Sequence, residues 1–320
     1  MGSPHSRGVV PFPLLILLGL SFCSSTPALA QNLASAQAEV KRLFEDDLLC
    51  DRLSTDKIVA ALPTAQFVAA NATDAEGQAL GLRALAEIAM EKRDFAGAEA
   101  GFRQVLSLYP ASTQGVWAHY GLGELCRKLA NCQGRPELRV SAVAEFQAVL
   151  AAKPAHAIAG RALEKSGLAY VDMGEYQKAI EVYNQAIASY PGTPGAVYAH
   201  GGLAVLYREL HRWDDGIKYA RLRASFAGYQ RASEFQLQVG IMLGEKGDLA
   251  AAAGELQKVL DLWPNEASEC VRALYQKGFC LKALGDVSGA AAAWRRVVAE
   301  FPSYHLSVRA REQLELLGGS

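Results

Sequence analysis

The sequence predicts an all-α fold in which helical hairpins stack into a solenoid. The first observation is composition: 51% of the 320 residues are hydrophobic, and the 12 prolines are few and spaced, which suits stacked helices better than sheets. The second is that apolar residues recur at helical spacing along most of the chain. The third is that the same two-helix pattern returns six times, which is the signature of a repeat protein.

The clearest hairpin is formed by residues 160–191. Gly167 lies on the apolar face of the first helix, where a side chain would hold the second helix away. Gly174 stands where a residue of left-handed conformation ends the first helix. Pro191 ends the second helix because proline cannot continue it. One hairpin leaves an apolar face uncovered, so it needs neighbouring copies.

Copies of this hairpin fill residues 79–302. From one closing residue to the next, the steps are 44, 37, 37, 36 and 38 residues. The second copy carries extra residues between its helices, and the fourth is the most degenerate because glycine replaces the closing proline. The closing residues are Pro110, Pro154, Pro191, Gly228, Pro264 and Pro302.

The segments on either side of the repeats read as caps. Residues 31–78 are helical in pattern but do not fit the repeat, so we expect an N-terminal pair of capping helices, with a short binding extension as the alternative. Thr73 to Glu76 have the form of a capping box that begins the next helix. Residues 303–320 predict a final capping helix with one apolar side.

These features resemble the tetratricopeptide repeat family, whose standard repeat has about 34 residues. The resemblance implies a right-handed superhelix whose inner surface is lined by the first helix of each hairpin. The longer steps and the junctions are similar to those of secreted bacterial members, such as the Tol-Pal-associated cell-division coordinator and the outer-membrane assembly lipoprotein, which implies an envelope adaptor. The junctions are Tyr109-Pro110-Ala111-Ser112, Tyr190-Pro191-Gly192-Thr193 and Phe301-Pro302-Ser303.

The first 30 residues have the pattern of a secretory signal peptide. Arg7 gives a positive start, residues 9–20 are an apolar run, and Ala28-Leu29-Ala30 forms a cleavage site. The expected location is therefore periplasmic or secreted, after cleavage behind Ala30. A transmembrane anchor is the alternative, but the run is shorter than the roughly 20 residues that span a bilayer. Lipidation at Cys23 is disfavoured by the bulky residue before it.

Charge and hydropathy exclude several classes of partner. The formal net charge is -1, which favours neither nucleic acid nor an anionic membrane surface. No segment after the signal peptide reads as a membrane span. We therefore expect a protein or peptide partner.

The family register predicts a partner-binding groove on the inner surface. Aromatic and arginine side chains dominate it, and such residues are frequent anchors in protein interfaces. The alternative is that its aromatics only seal one hairpin against the next. A peptide segment, extended or helical, is the natural ligand. The predicted groove residues are Arg83, Glu87, Trp117, Tyr120, Glu124, Arg127, Arg161, Glu164, Tyr198, Arg208, Arg272, Tyr275 and Phe279.

Five cysteines follow residue 30, an odd number for a chain expected in an oxidising compartment, so they cannot all pair with one another. Cys126 at a helix end and Cys132 in the inserted loop are expected to form a disulfide. Cys270 and Cys280 are ten residues apart in one predicted helix and cannot pair with each other. His119 near the first pair lacks the spacing of a zinc site.

No motif for catalysis or for a cofactor stands out, so the sequence predicts a protein that is not an enzyme. The leading hypothesis is a secreted tetratricopeptide scaffold that binds another envelope protein through its groove and needs no cofactor. The alternative is an accessory or regulatory subunit of an envelope enzyme or secretion machine, in which another chain supplies the chemistry.

Overall fold

A computed structural model describes residues 27–47, 54–153, 156–226, 229 and 231–318. Within these ranges the chain is helical and contains no β-strand, which confirms the predicted all-α class. Residues 1–26, with most of the predicted signal peptide and Cys23, lie outside the described residues, as do Cys50, Pro154 and Gly228.

The N-terminal segment is made of three helices and a π-helical turn. Helix α1 is Pro27–Lys41, the π-helical segment Arg42–Asp47 continues it, and α2 (Thr55–Ala60) and α3 (Leu62–Asn71) follow. The predicted cleavage site after Ala30 thus lies in the first turn of α1. Val40 and Phe44 are fully buried against α3 and the next helix.

Six hairpins follow one another in the described part of the chain, and a final helix, α16 (His305–Gly318), closes the array. The first helices are α4 (Ala75–Glu91), α6 (Gln114–Cys132), α8 (His156–Asp172), α10 (Pro194–Glu209), α12 (Ala232–Lys246) and α14 (Ala267–Ala283). The second helices are α5 (Phe95–Leu108), α7 (Leu138–Ala151), α9 (Tyr176–Ser189), α11 (Trp213–Ser225), α13 (Leu249–Leu262) and α15 (Val287–Glu300).

In five of the six hairpins a large side chain of the second helix fills the centre, and small residues of the first helices make room for it. In the third hairpin the ring of Tyr183 lies between Gly167 and Gly202; a Cβ atom at these glycines would fall 2.4 and 2.5 Å from the ring. Gly174 has φ +75°, the left-handed conformation expected of the residue that ends the helix. Close helix packing in this hairpin therefore depends on the absence of side chains.

Side-chain caps mark the start of several helices. Asp74, rather than Thr73, caps α4, because its carboxylate accepts a hydrogen bond from the Gly77 amide at 2.8 Å. Asp248 caps α13 in the same way through the Ala251 amide. A carboxylate at these positions also stabilises the helix dipole.

The concave face of the array is lined by the first helices. Helices α4 and α6, α6 and α8, α8 and α10, and α12 and α14 contact one another. In the described ranges, the second helices pack mainly on first helices, and the last of them, α15, packs also on α16. Successive first helices thus converge while the second helices diverge on the outer face. Helices α10 and α12 are the exception, because their backbones hardly approach each other.

Among the described residues, no helix is both long and apolar enough to cross a membrane.

Candidate functional site

One position recurs on the concave face of every first helix. It is the residue that follows the glycine or alanine at which the first helix packs closely on its second helix, as Leu168 follows Gly167. Its occupants change character along the array, from acids in the first two hairpins to apolar residues in the last four. They are Glu87, Glu124, Leu168, Val205, Ile241 and Phe279, and we call them the groove row.

At the N-terminal end, the chain covers its own concave face. Arg83 is fully buried: its Nε donates to Gln114 Oε1 at 2.7 Å and its Nη1 to the Phe44 carbonyl at 3.3 Å. Its guanidinium also lies 5.2 Å from the centre of the Trp117 ring. Glu45 of the π-helical segment is 3.7 Å from Arg83. The N-terminal segment therefore covers Arg83, so that a ligand in the groove could not contact it.

Ion pairs between neighbouring hairpins neutralise the next part of the face. Arg127 of α6 lies 3.3 Å from Asp172 of α8 and 3.5 Å from Glu124. Lys165 of α8 is 3.4 Å from Glu124, and Lys128 of α6 pairs with a glutamate of α4. Charges in this half of the groove are thus used to join one hairpin to the next.

The thirteen predicted groove residues divide accordingly. The register placed them on open surface, but the structure buries six of them, because neighbouring repeats and the N-terminal segment supply their partners. The buried six are Arg83, Glu87, Trp117, Tyr120, Arg161 and Glu164. The others keep part of their surface in solvent, namely Glu124, Arg127, Tyr198, Arg208, Arg272, Tyr275 and Phe279.

The C-terminal half of the groove is open and apolar. Val205 and Phe279 of the groove row are 50% and 36% exposed. A cavity of about 580 Å³ lies between α10, α12 and α14 and includes Ile241 and Phe279. Arg208 crosses from α10 to pair with Glu245 of α12 at 2.6 Å. This half leaves apolar surface uncovered, with charged groups at its edges.

A second cavity, of about 370 Å³, lies where α8, α10 and α12 meet the end of α11. Its wall includes Leu168 and Val205 of the groove row. Arg161 pairs with Glu164 at 3.0 Å and stacks on Tyr198, with its guanidinium carbon 4.4 Å from the ring centre. We call this space the central cavity.

The central cavity also has lining residues that were not predicted, among them Tyr183, Arg223 and Phe235. Tyr183 and Arg223 lie outside the first helices, to which the prediction was confined. A signal for Arg223 was present in the repeat pattern, because it occupies a position that the other copies fill with small apolar residues. Its guanidinium lies over the Phe235 ring at 5.1 Å, and burial lowers its pKa.

The predicted disulfide between Cys126 and Cys132 is corrected by the structure, in which both are free thiols. Helix α6 continues through both residues, so the inserted segment begins only after Cys132. Six residues of helix separate them by about 9 Å along the axis, more than the roughly 7 Å that a disulfide allows between Cα atoms. Cys270 and Cys280 are also free and buried.

The histidines of the first helices take part in structural contacts. His119 Nδ1 lies 2.7 Å from a carboxylate oxygen of Glu145, and the buried His200 bonds through Nδ1 to the Ala196 carbonyl at 2.7 Å. Burial lowers the pKa of His200. In the part of the chain that the structure describes, no three histidine, cysteine or acidic side chains are grouped as a metal site would require.

This geometry defines a class of protein: a helical-hairpin repeat array with one lined concave face. Tetratricopeptide repeat models match residues 164–229 and 272–304. The chain therefore carries tetratricopeptide repeats, a fold that mediates interactions between proteins. No protein of curated function matches it.

Solved structures of repeat proteins align with this chain at low sequence identity. The apo form of the quorum sensor NprR from B. thuringiensis aligns with a TM-score of 0.53 and 16% identity, over 91% of this chain and 80% of that one. A tetratricopeptide repeat protein from Parabacteroides merdae gives 0.46 and 17%, over 88% and 99%. YrrB, described as having an unusual peptide-binding site, gives 0.46 and 16%, over 66% and 97%.

Proposed function

We propose that the chain is a periplasmic or secreted scaffold that binds a segment of another envelope protein in the C-terminal half of its concave groove, without chemistry of its own. The observation that carries this proposal is the groove row: from α8 to α14 its members are apolar, and Val205 and Phe279 remain exposed. Burial of such surface by a partner contributes about 25 cal/mol per Å².

Several features support a peptide rather than a folded domain as the ligand. The open half of the groove follows successive first helices, with Arg208 and Arg272 beside the apolar row. Arginine next to exposed aromatic and aliphatic groups is typical of binding hot spots. A groove that runs across successive helices suits a single chain segment, extended or helical, better than the convex surface of a folded domain.

The envelope location rests on the sequence pattern of residues 1–30 and on the junctions similar to those of secreted bacterial tetratricopeptide proteins. Cell fractionation and N-terminal sequencing of the exported chain test this part of the proposal. We expect a mature chain that begins at Gln31. An uncleaved chain recovered from the cytoplasm would contradict the export.

Site-specific photo-cross-linking in cells tests the groove. A benzophenone side chain is placed at Val205 or Phe279, both in the groove row, and at the control positions Val140 and Val308, which are 65% and 55% exposed on α7 and α16. We expect one partner to be captured from both groove positions and from neither control. Capture from α7 or α16 alone would place binding on another face and refute the groove.

A further inference from the structure

The cavity of about 580 Å³ between α10, α12 and α14 opens where two copies lack side chains that the others carry. Three residues after the groove row, five copies have valine or a longer side chain, whereas the fifth copy has Gly244. Four residues after the groove row, five copies have a charged side chain, whereas the sixth has Ala283. Both small residues line the cavity, which we call the C-terminal pocket. The other copies have Met90, Arg127, Val171, Arg208 and Lys282 at the first position, and Glu91, Lys128, Asp172, Glu209 and Glu245 at the second.

Packing does not explain the glycine at position 244. A Cβ atom there would lie 3.8 Å from its nearest neighbours, Ala252 and Cys280, which is an ordinary contact distance. Gly240, one turn earlier, is different, because its Cβ atom would fall 2.7 Å from the Leu256 side chain. A glycine inside a helix is less stable than any other residue except proline. The chain therefore gives up helix stability at Gly244 and keeps the pocket open.

The C-terminal pocket reaches through the layer of first helices to the second helix α13. Leu249 and Leu256 of α13 line it, together with Ile241 and Phe279 of the groove row. The partly exposed Phe279 ring packs edge-on against Trp294, with ring centres 5.2 Å apart, which holds this wall in place. The volume lies within the roughly 300–1,000 Å³ of pockets that enclose a bound group. Walls of this kind favour a large apolar side chain, because its burial removes apolar surface from water.

One cation at the pocket has no partner among the described residues. Of the three charged side chains that line the pocket, Arg208 and Glu245 pair with each other at 2.6 Å. The third, Arg272 of α14, keeps part of its surface in solvent, and its side chain makes no hydrogen bond or ion pair within the described chain. Arg231 lowers the pKa of Glu234 on α12 through hydrogen bonds, and the charge of Arg272 lowers it further. Glu234 is thus already bonded, and the donors of Arg272 remain available to an acidic group.

Building on the proposed function, we propose that the C-terminal pocket binds a leucine, methionine or phenylalanine side chain of the partner segment, and that Arg272 pairs with an aspartate or glutamate beside it. The apolar side chain fills the space that Gly244 leaves open and packs on Phe279. The carboxylate accepts hydrogen bonds from the Arg272 guanidinium at the edge of the pocket. The pocket thereby determines which segment the groove accepts.

The repeat pattern supplies a variant that fills the pocket and keeps the fold. Gly244→Met installs the side chain that the first copy has at this position, and the neighbours at 3.8 Å leave room for it. Gly254→Met is the matched control, because this helix-interior glycine also has free space around its Cβ position and does not line the pocket. Both methionine variants should unfold at or above the wild-type temperature. Arg272→Gln removes the charge at the pocket, and Arg309→Gln on the exposed side of α16 controls for the loss of a charge.

A phage-displayed library of random 12-residue peptides is selected on the full exported chain. The enriched peptides are then synthesised with a fluorophore and titrated by anisotropy. We expect them to carry an acid beside a large apolar residue. Affinity should fall at least about tenfold in Gly244→Met, whose side chain occupies the space of the apolar residue. It should fall about tenfold in Arg272→Gln, as for a lost hydrogen bond to a charged group, and stay unchanged in both controls.

Peptides that bind Gly244→Met as tightly as the wild type would overturn the role of the pocket. They would leave the proposed groove function intact, because the cross-links from Val205 and Phe279 test that function independently. Binding that is lost in Gly244→Met and unchanged in Arg272→Gln would overturn the role of the acid. Self-association of the chain in analytical ultracentrifugation, abolished by Gly244→Met, would assign the pocket to a second copy and overturn the peptide ligand. A selection that enriches no peptide would also overturn the proposed specificity.

Discussion

The carboxyl group of Glu87 makes the stability of the first hairpins depend on pH. It is 3% exposed, and its nearest cation, Arg83, is 3.8 Å away. Burial raises its pKa from 4.5 to about 7, although Arg83 and Lys128 act in the opposite direction. Between these two values the folded chain binds a proton that the unfolded chain has released. The free energy of unfolding therefore falls as pH rises through this window, by about 3 kcal/mol in total.

The variant Glu87→Gln tests this reasoning, because glutamine has the same shape and does not titrate. Urea unfolding is followed by circular dichroism at pH 5, 6, 7 and 8, and the exposed Glu312→Gln controls for the loss of a charge as such. We expect Glu87→Gln to be within about 1 kcal/mol of the wild type at pH 5 and about 3 kcal/mol more stable at pH 8. Parallel curves for the two proteins across this range would show that burial does not govern Glu87.

Two further predictions concern packing and thiol chemistry. Gly167→Ala should lower the free energy of unfolding by about 1–3 kcal/mol, because the new Cβ atom would fall 2.4 Å from the Tyr183 ring. The control Gly254→Ala, whose new Cβ atom would have no atom within 4 Å, should raise it by up to about 1 kcal/mol. Equal melting temperatures for the two variants would contradict the close packing at Gly167. Cys132 is exposed and should react with a thiol reagent in the native chain, while Cys280, whose pKa burial raises, should react only after unfolding. Peptide mapping by mass spectrometry identifies the modified cysteines. A Cys132 that stays unmodified in the native chain would contradict the free thiol.

The fold could be predicted from sequence because its determinants are local and repeated. Gly167 and Gly174 mark the close approach and the turn within one hairpin, and the structure confirms both roles. The pattern of a single hairpin is a weak indication of the fold, but its return in six copies makes the prediction reliable. The cap of α4 shows the limit of this precision, since Asp74 takes the place expected of Thr73.

Exposure in the groove could not be predicted in the same way, because it depends on contacts between repeats. Arg83 falls on the inner side of its helix, as the register requires, but the π-helical segment, 39 residues earlier at Phe44, covers it. Arg127 finds Asp172 on the next first helix. The repeat register predicts which face of a helix a side chain lies on, but it does not predict which side chain of the neighbouring repeat will contact it.

The same register, used to compare the copies with one another, would have located the central cavity. An arginine in the series of valines and alanines at the position of Arg223 breaks the pattern at a core position, where a charge is costly. An arginine at a buried repeat position indicates a functional or strained site more strongly than an arginine at a surface position does, because a surface position tolerates many side chains.

The change from acids to apolar residues along the groove row determines which half can bind a partner. A ligand at Glu124 would have to displace ion pairs with Arg127 and Lys165 and would gain little in exchange. A ligand at Leu168 and Val205 removes apolar surface from water and breaks no bond. Helices that pack directly, as α8 and α10 do, lie about 8–10 Å apart, and an extended peptide advances about 3.3 Å per residue. A peptide that crosses these two helices would therefore place about every third of its residues on the groove row.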